Sequence, residues 1–200
     1  MSEVFVIATN NQKKLREIDA ILRQIGASAV TMREAGINTD PEETGTTFEE
    51  NAFIKAQAAC AASNKPAIAD DSGLEVDALD KAPGIYSARY CEGTDSDRVD
   101  FLLRNMQGKS DRTARFVSAV CCVFPSGEHL TVRGECEGEI IDAPRGENGF
   151  GYDPVFYVPE HKQTFAEISP EIKNKISHRA HALEKLAIEL KKREKSHADK

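Results

Sequence analysis

The sequence has no apolar run long enough to span a membrane, so no transmembrane helix is expected. Its start, MSEVFVIATNNQKK, lacks the basic opening and long apolar stretch of a signal peptide. It reads as the first strand of a domain, and a cytoplasmic location is the expectation. The 5 cysteines, Cys60, Cys91, Cys121, Cys122 and Cys136, are odd in number and form no C-x-x-C. That argues against a disulfide framework and a structural zinc site, and leaves thiols used as small core residues. There is no basic face or stripe. Lys and Arg number 26 against 33 acids, for a net charge of -7. No nucleic-acid partner is expected. The basic KKREKSHADK at the end is short and reads as a solvated helix terminus. A polyphosphate substrate would be repelled at long range, so local lysines and a divalent cation would have to overcome that field. Neither a Walker A loop nor a G-x-S-x-G elbow is present, and no internal repeat is visible.

What remains is an ordinary globular balance, 40% hydrophobic and 30% charged over 200 residues. One domain over 1–200 is expected, with 193–200 as a frayed tail. Val4 to Ala8 suits a buried strand. Leu15, Ile18, Leu22 and Ile25 then recur at helical spacing, predicting a helix over 12–25. A second strand fits 27–31, and 32–46 reads as a loop. Thr47 and Glu50 have capping-box spacing ahead of an alanine-rich helix over 48–63. Residues 66–69 read as a short buried strand ending at Asp70-Asp71-Ser72-Gly73, with Leu74, Val76 and Ala78 alternating beyond it. A helix follows over 95–106. A hairpin joins 114–124 to 130–136 through Pro125-Ser126-Gly127. A glycine-rich loop spans 148–154, a short strand 155–158, and a last helix runs from about Ser177 to Lys192. The order is that of a mixed α/β domain.

Four segments could carry chemistry. Thr9-Asn10-Asn11-Gln12-Lys13-Lys14 links the first strand to the first helix. Helix-start N–H groups and the helix dipole suit a phosphate there, with Thr9 and Lys14 adding a hydroxyl and a charge. The same residues would equally make a helix cap with surface lysines. Asp70 and Asp71, with Glu42 and Glu43 upstream, offer carboxylates for magnesium and for activating water. Phe150-Gly151-Tyr152-Asp153 pairs glycine with aromatics, so a flat ligand could approach and stack on Phe150, with Asp153 as an acceptor for a base N–H. Tyr152 is expected in the core. Ser177 can cap the last helix, which would make His178 and Arg179 donors. Donors favour an oxo group over an amino group. Alone, that motif is better explained by a capped helix with a surface His and Arg.

In this order the segments resemble the inosine triphosphate pyrophosphatase family, which acts on unusual purine nucleoside triphosphates. The resemblance rests on Ala8-Thr9-Asn10-Asn11 through Lys14, Glu42-Glu43-Thr44-Gly45, Phe48, Glu50-Asn51-Ala52 and Lys55-Ala56. It continues through Ala69-Asp70-Asp71-Ser72-Gly73-Leu74, Ala82-Pro83-Gly84-Ile85-Tyr86-Ser87-Ala88-Arg89, Gly149 to Pro154 and Ser177-His178-Arg179. It implies a long central mixed sheet with flanking helices and two lobes around a substrate cleft. It further implies a homodimer and release of pyrophosphate from ITP, dITP or XTP by attack of water on the α-phosphorus. Thr9 to Lys14 would hold the triphosphate with help from Lys55. Glu43 and Asp71 would bind Mg2+ with Asp70 close by, and Asp71 would be the general base. Ser72 would touch substrate. Phe150, Gly151, Tyr152, Asp153, Lys173, His178 and Arg179 would form the base pocket, with His178 and Arg179 reading the purine 6-oxo group. Many members carry glycine where Asn10 and Lys13 stand here. Asn tolerates positive φ better than most residues.

Two rivals remain at this point. A dTTP-directed pyrophosphatase of the septum-inhibitor type would open with a Ser-Pro-Arg-Arg loop, which Thr9 to Lys14 does not match. A non-catalytic nucleotide sensor would not need Glu43, Asp70 and Asp71 to position water.

Overall fold

A computed structural model describes residues 4–24 and 26–198. The strands are β1 (Val4–Ile7), β2 (Ser28–Thr31), β3 (Ala67–Val76), β4 (Thr113–Val123), β5 (His129–Ile140), β6 (Phe156–Val158) and β7 (Gln163–Thr164). The helices are α1 (Gln12–Gln24), α2 (Phe48–Ser63), α3 (Asp95–Asn105), α4 (Pro170–Ile176) and α5 (His178–Ala198). The strands form one 7-stranded sheet in the order β2-β1-β3-β4-β5-β6-β7. β1 runs parallel to β2 and β3, while β6 is antiparallel to β5 and β7. The expected mixed α/β sheet with flanking helices is what the chain builds. No helix among the described residues is long and apolar enough to cross a membrane.

The chain divides into two compact units. The first comprises 1–71, 118–134 and 179–200, and the second 72–117 and 135–178. In the first, Phe5 and Ile7 of β1 pack with Ile18, Ile21 and Leu22 of α1, and with Ile68, Phe124, Leu183 and Leu186. The helical period expected for α1 holds, with Ile21 buried and Leu15 half-buried; the expected end at Ile25 lies outside the described residues. Thr47 caps α2 by accepting the Glu50 N–H at 3.1 Å. The Glu50 carboxylate accepts from the Thr46 N–H and hydroxyl, one residue earlier than a full capping box requires. In the second unit, Leu74, Val76, Val99, Leu102, Met106, Phe116, Tyr152, Phe156 and Phe165 form the core. Thr94 and Asp97 complete a capping box on α3.

Three elements differ from the sequence reading. β3 does not stop at Ala69 but continues to Val76, so Asp70 and Asp71 sit in mid-strand. The strand tolerates them because cations and an amide meet their charge, as described below. α4 was not expected, although Ser169 caps it and Pro170 opens it, a legible start signal. α5 runs past Lys192 to Ala198. Arg193 there pairs with Glu128 at 2.9 Å and lies 3.6 Å over the Phe124 ring, which holds the added turns. Ile188, expected on the apolar face, is exposed. None of the five cysteines is in a disulfide. Cys60, Cys121, Cys122 and Cys136 are buried and Cys91 is half-buried. Burial pushes the Cys60 and Cys121 thiols up, and burial together with Glu137 and Glu160 pushes Cys136 up to about 12.

Candidate active site

The first unit gathers charge around two adjacent carboxylates. β1 leads into Thr9, whose hydroxyl accepts the Asn11 N–H at 3.2 Å. The Asn11 side-chain oxygen accepts the N–H groups of Lys13 and Lys14 at 3.0 and 3.2 Å, capping α1. Neither Asn10 nor Lys13 has a positive φ, so this turn does not require glycine at those positions. Asn10, Asn11, Gln12 and Lys13 are exposed, whereas Lys14 turns inward. Its ammonium lies 3.2 Å from Asp70 Oδ2.

Asp70 is buried. The same Oδ2 accepts from Arg179 Nη2 at 3.0 Å and Nε at 3.2 Å. Arg179 Nη1 also donates to Glu17 of α1. Burial opposes ionisation of Asp70, but Lys14, Arg179 and Lys55 overcome it and hold the carboxyl far below its usual range. Its Oδ1 is buried without a hydrogen-bond partner among the described residues. Lys14 shifts down because burial, with Lys55 and Arg179, outweighs the attraction of Asp70 and Asp71.

Asp71 shifts the other way. Burial, with Glu43 adding, raises its pKa despite Lys55 and Lys14. Its Oδ1 accepts from Lys55 Nζ at 3.1 Å and its Oδ2 from Asn51 Nδ2 at 3.3 Å. Lys55 also donates to Glu43 Oε1 at 2.8 Å. Burial lowers the Lys55 pKa, but Asp71, Asp70 and Glu43 together raise it, so the ammonium stays charged. Glu43 and Asp71 therefore converge on one cationic position. Among the described residues no group of three or more His, Cys, Asp and Glu could hold a metal by itself. Two converging carboxylates and the bare Asp70 Oδ1 nevertheless fit magnesium, which commonly takes one or two carboxylates and completes its shell with substrate phosphates and water.

The second unit gathers aromatic rings. Gly149 and Gly151 both have positive φ, and a Cβ on Gly149 would lie 2.0 Å from Asp153 Oδ2. That oxygen accepts the Phe150 N–H at 2.7 Å and the Lys173 ammonium at 2.8 Å. Lys173 Nζ stands 5.2 Å from the Phe150 ring centre and 5.4 Å from that of Phe165. Asp95 Oδ2 accepts the Gly151 N–H at 2.9 Å. Tyr152 is buried, as expected, and its hydroxyl donates to the Ser87 carbonyl at 2.9 Å. Ser72 is half-buried on β3. His178 is buried, not a surface residue, and stacks on Phe116 at 4.8 Å and 14°.

Lys14, Asp70 and Arg179 thus form one bonded set, Glu43, Lys55 and Asp71 a second, and Phe150, Asp153 and Lys173 a third. Sequence reasoning gave no role to Asn51, Glu17, Asp95 or Phe116. Of these, Asn51 left a signal: it is a polar residue on an alanine-rich helix, four residues before Lys55.

The chain is similar to known proteins over nearly its whole length. Residues 5–189 match the model of the Ham1 family. A dITP/XTP pyrophosphatase from an Exiguobacterium species is 49% identical over 187 residues, covering 92% of this chain and 95% of the relative. The dITP/XTP pyrophosphatase of Bacillus subtilis is 47% identical over 186 residues, 91% of this chain and 94% of the relative. Among solved structures, the Staphylococcus aureus Ham1 protein superposes with a TM-score of 0.85 at 44% identity, covering 96% of this chain and 100% of that one. The resemblance noted in the sequence is borne out, and the chain belongs to the Ham1 family.

Proposed function

We propose that the chain hydrolyses deaminated purine nucleoside triphosphates, ITP, dITP and XTP, to the nucleoside monophosphate and pyrophosphate, and so clears them from the nucleotide pool. The dITP/XTP pyrophosphatases that match nearly its whole length support this reading. The observation that carries it is the different company of two neighbouring acids: Asp70 Oδ2 meets Lys14 and Arg179, which hold its carboxyl low, while Asp71 shares Lys55 with Glu43 in a buried position that raises it. Environments that push two titratable groups apart separate the structural charge from the acid–base group.

In this reading Asp71 orients a water and takes its proton as the oxygen attacks the α-phosphorus. Negative charge spreads over the phosphoryl oxygens, and the Lys14 and Lys55 ammonium groups stabilise it. Thr9 and the turn to Lys13 contact the outer phosphates. Asp70 and Glu17 fix the Arg179 guanidinium between them. Glu43 and Asp71 would hold magnesium. Bound there, the ion would neutralise phosphate charge and polarise the phosphoryl oxygens. Ser72 touches the substrate. Phe150 stacks on the purine, on a loop that Asp153 and Lys173 hold in shape and Gly151 and Tyr152 complete. His178 and Arg179 donate to the 6-oxo group, and the amino group of ATP cannot accept those bonds. The working form is a homodimer in the cytoplasm, where the nucleotide pool lies.

Pyrophosphate release from ITP, XTP, dITP, GTP, ATP and dTTP, with magnesium and then with chelator, tests the proposal. Fast release from ITP and XTP that stops with chelator is expected, with ATP and dTTP slow. Binding of ITP without release would make the chain a nucleotide sensor instead, and release that survives chelation would remove magnesium from the reading.

A further inference from the structure

Asn51 lies on α2 and is fully buried, at 0% exposure. A buried carboxamide on an otherwise alanine-rich face favours neither helix nor apolar packing unless both its ends are bonded. Both are. Its Nδ2 donates to Asp71 Oδ2 at 3.3 Å, and its Oδ1 accepts the Gly45 N–H at 2.9 Å. Lys55 stands four residues on, on the same helix face. It takes the other Asp71 oxygen and Glu43. One helix face therefore holds each Asp71 oxygen with a separate donor. It also grips the segment before α2 twice, at Glu43 through Lys55 and at Gly45 through Asn51. Gly45 is needed for the approach itself, since a Cβ there would lie 2.6 Å from Asn51 Oδ1.

We propose that Asn51 is a positioning residue for the reaction. It fixes the rotation of the Asp71 carboxylate and ties the Glu43 segment to the same helix. The last torsion of an aspartate is soft, and one donor on one oxygen leaves the carboxylate plane free to swing. A second donor on the other oxygen sets the plane, and with it the direction from which a water proton is taken. The inference rests on the reading of Asp71 as general base.

The test uses Asn51→Asp and Asn51→Ala in the full chain. Asn51→Asp keeps the shape and an acceptor for Gly45 but sets a second carboxyl against Asp71 in place of the amide donor, whereas Asn51→Ala removes the donor without adding charge. Both variants should lower kcat for ITP about a hundredfold, the effect of a misplaced reacting group. KM should stay within about threefold and the ITP-to-ATP ratio of kcat/KM within about twofold, because the purine is read by other residues. A merely structural role would instead lower the active fraction and the thermal midpoint together. An Asn51→Ala kcat within about twofold of wild type overturns the inference, as does a loss matched by the unfolded fraction or a shifted ITP-to-ATP ratio. Wild-type protein that releases no pyrophosphate defeats the proposed function and this role together. An active wild type with an unaffected Asn51→Ala defeats this role alone.

Discussion

The charged set of the first unit and the aromatic set of the second are held in different ways. Around Asp70 and Asp71 nearly every link is an ion pair between side chains far apart in sequence, such as Lys14 with Asp70 and Lys55 with Asp71. Around Phe150 the loop closes on its own backbone, since the Asp153 carboxylate accepts an N–H three residues earlier and two glycines at positive φ make the room, with one ion pair to Lys173 and one bond to Asp95 from further off. The difference teaches what each set can lose. Buried ion pairs leave a stranded charge when one partner goes, while a loop closed by its own backbone can lose its aromatic ring and keep its shape.

The widest gap should appear at Asp70. Asp70→Asn leaves Lys14 and Arg179 facing a neutral group in full burial and should lower stability on the order of 3 kcal/mol in urea unfolding. The carboxyl is depressed in the folded chain. Its contribution is therefore present above the ordinary value of 3.8 and is lost as pH falls below it toward the folded value. The difference between wild type and variant should shrink in that acid range, and a gap independent of pH would place the loss elsewhere. Next comes Asp71→Asn, expected to cut pyrophosphate release by about a hundredfold or more with little change in thermal midpoint. Near-normal turnover would take the base role from Asp71. Phe150→Ala should raise KM for ITP about tenfold, in line with the loss of one base–aromatic stack, and leave kcat and stability near wild type. Unfolding of this variant would contradict the contrast between the sets. Thr94→Ala, which removes the α3 cap, should cost about 1 kcal/mol of stability and leave kcat/KM unchanged.

Much of this was legible in the sequence, for a physical reason in each case. β1, α1 and α2 follow from apolar period and caps, and the pairing of Asp70 with Asp71 stood out because charge follows a buried run. The length of β3 did not, because acids in mid-strand are tolerated only through Lys14, Arg179, Lys55 and Asn51, which arrive from three other segments. The burial of His178 was hidden for the same reason, since Phe116 and Phe165 reach it from distant strands and loops. Asp153 was read as facing a base, and its bond to Phe150 N–H depends on a loop closure that no periodicity encodes.

The thiols open a different kind of observation. Cys60, Cys121 and Cys122 are sealed inside the first unit and Cys136 inside the second, while Cys91 of the second unit is partly open to solvent. A thiol-alkylating reagent would mark Cys91 at once and the others only as their surroundings open. The order in which the remaining labels arrive would then give a kinetic record, residue by residue, of which half of the protein breathes first.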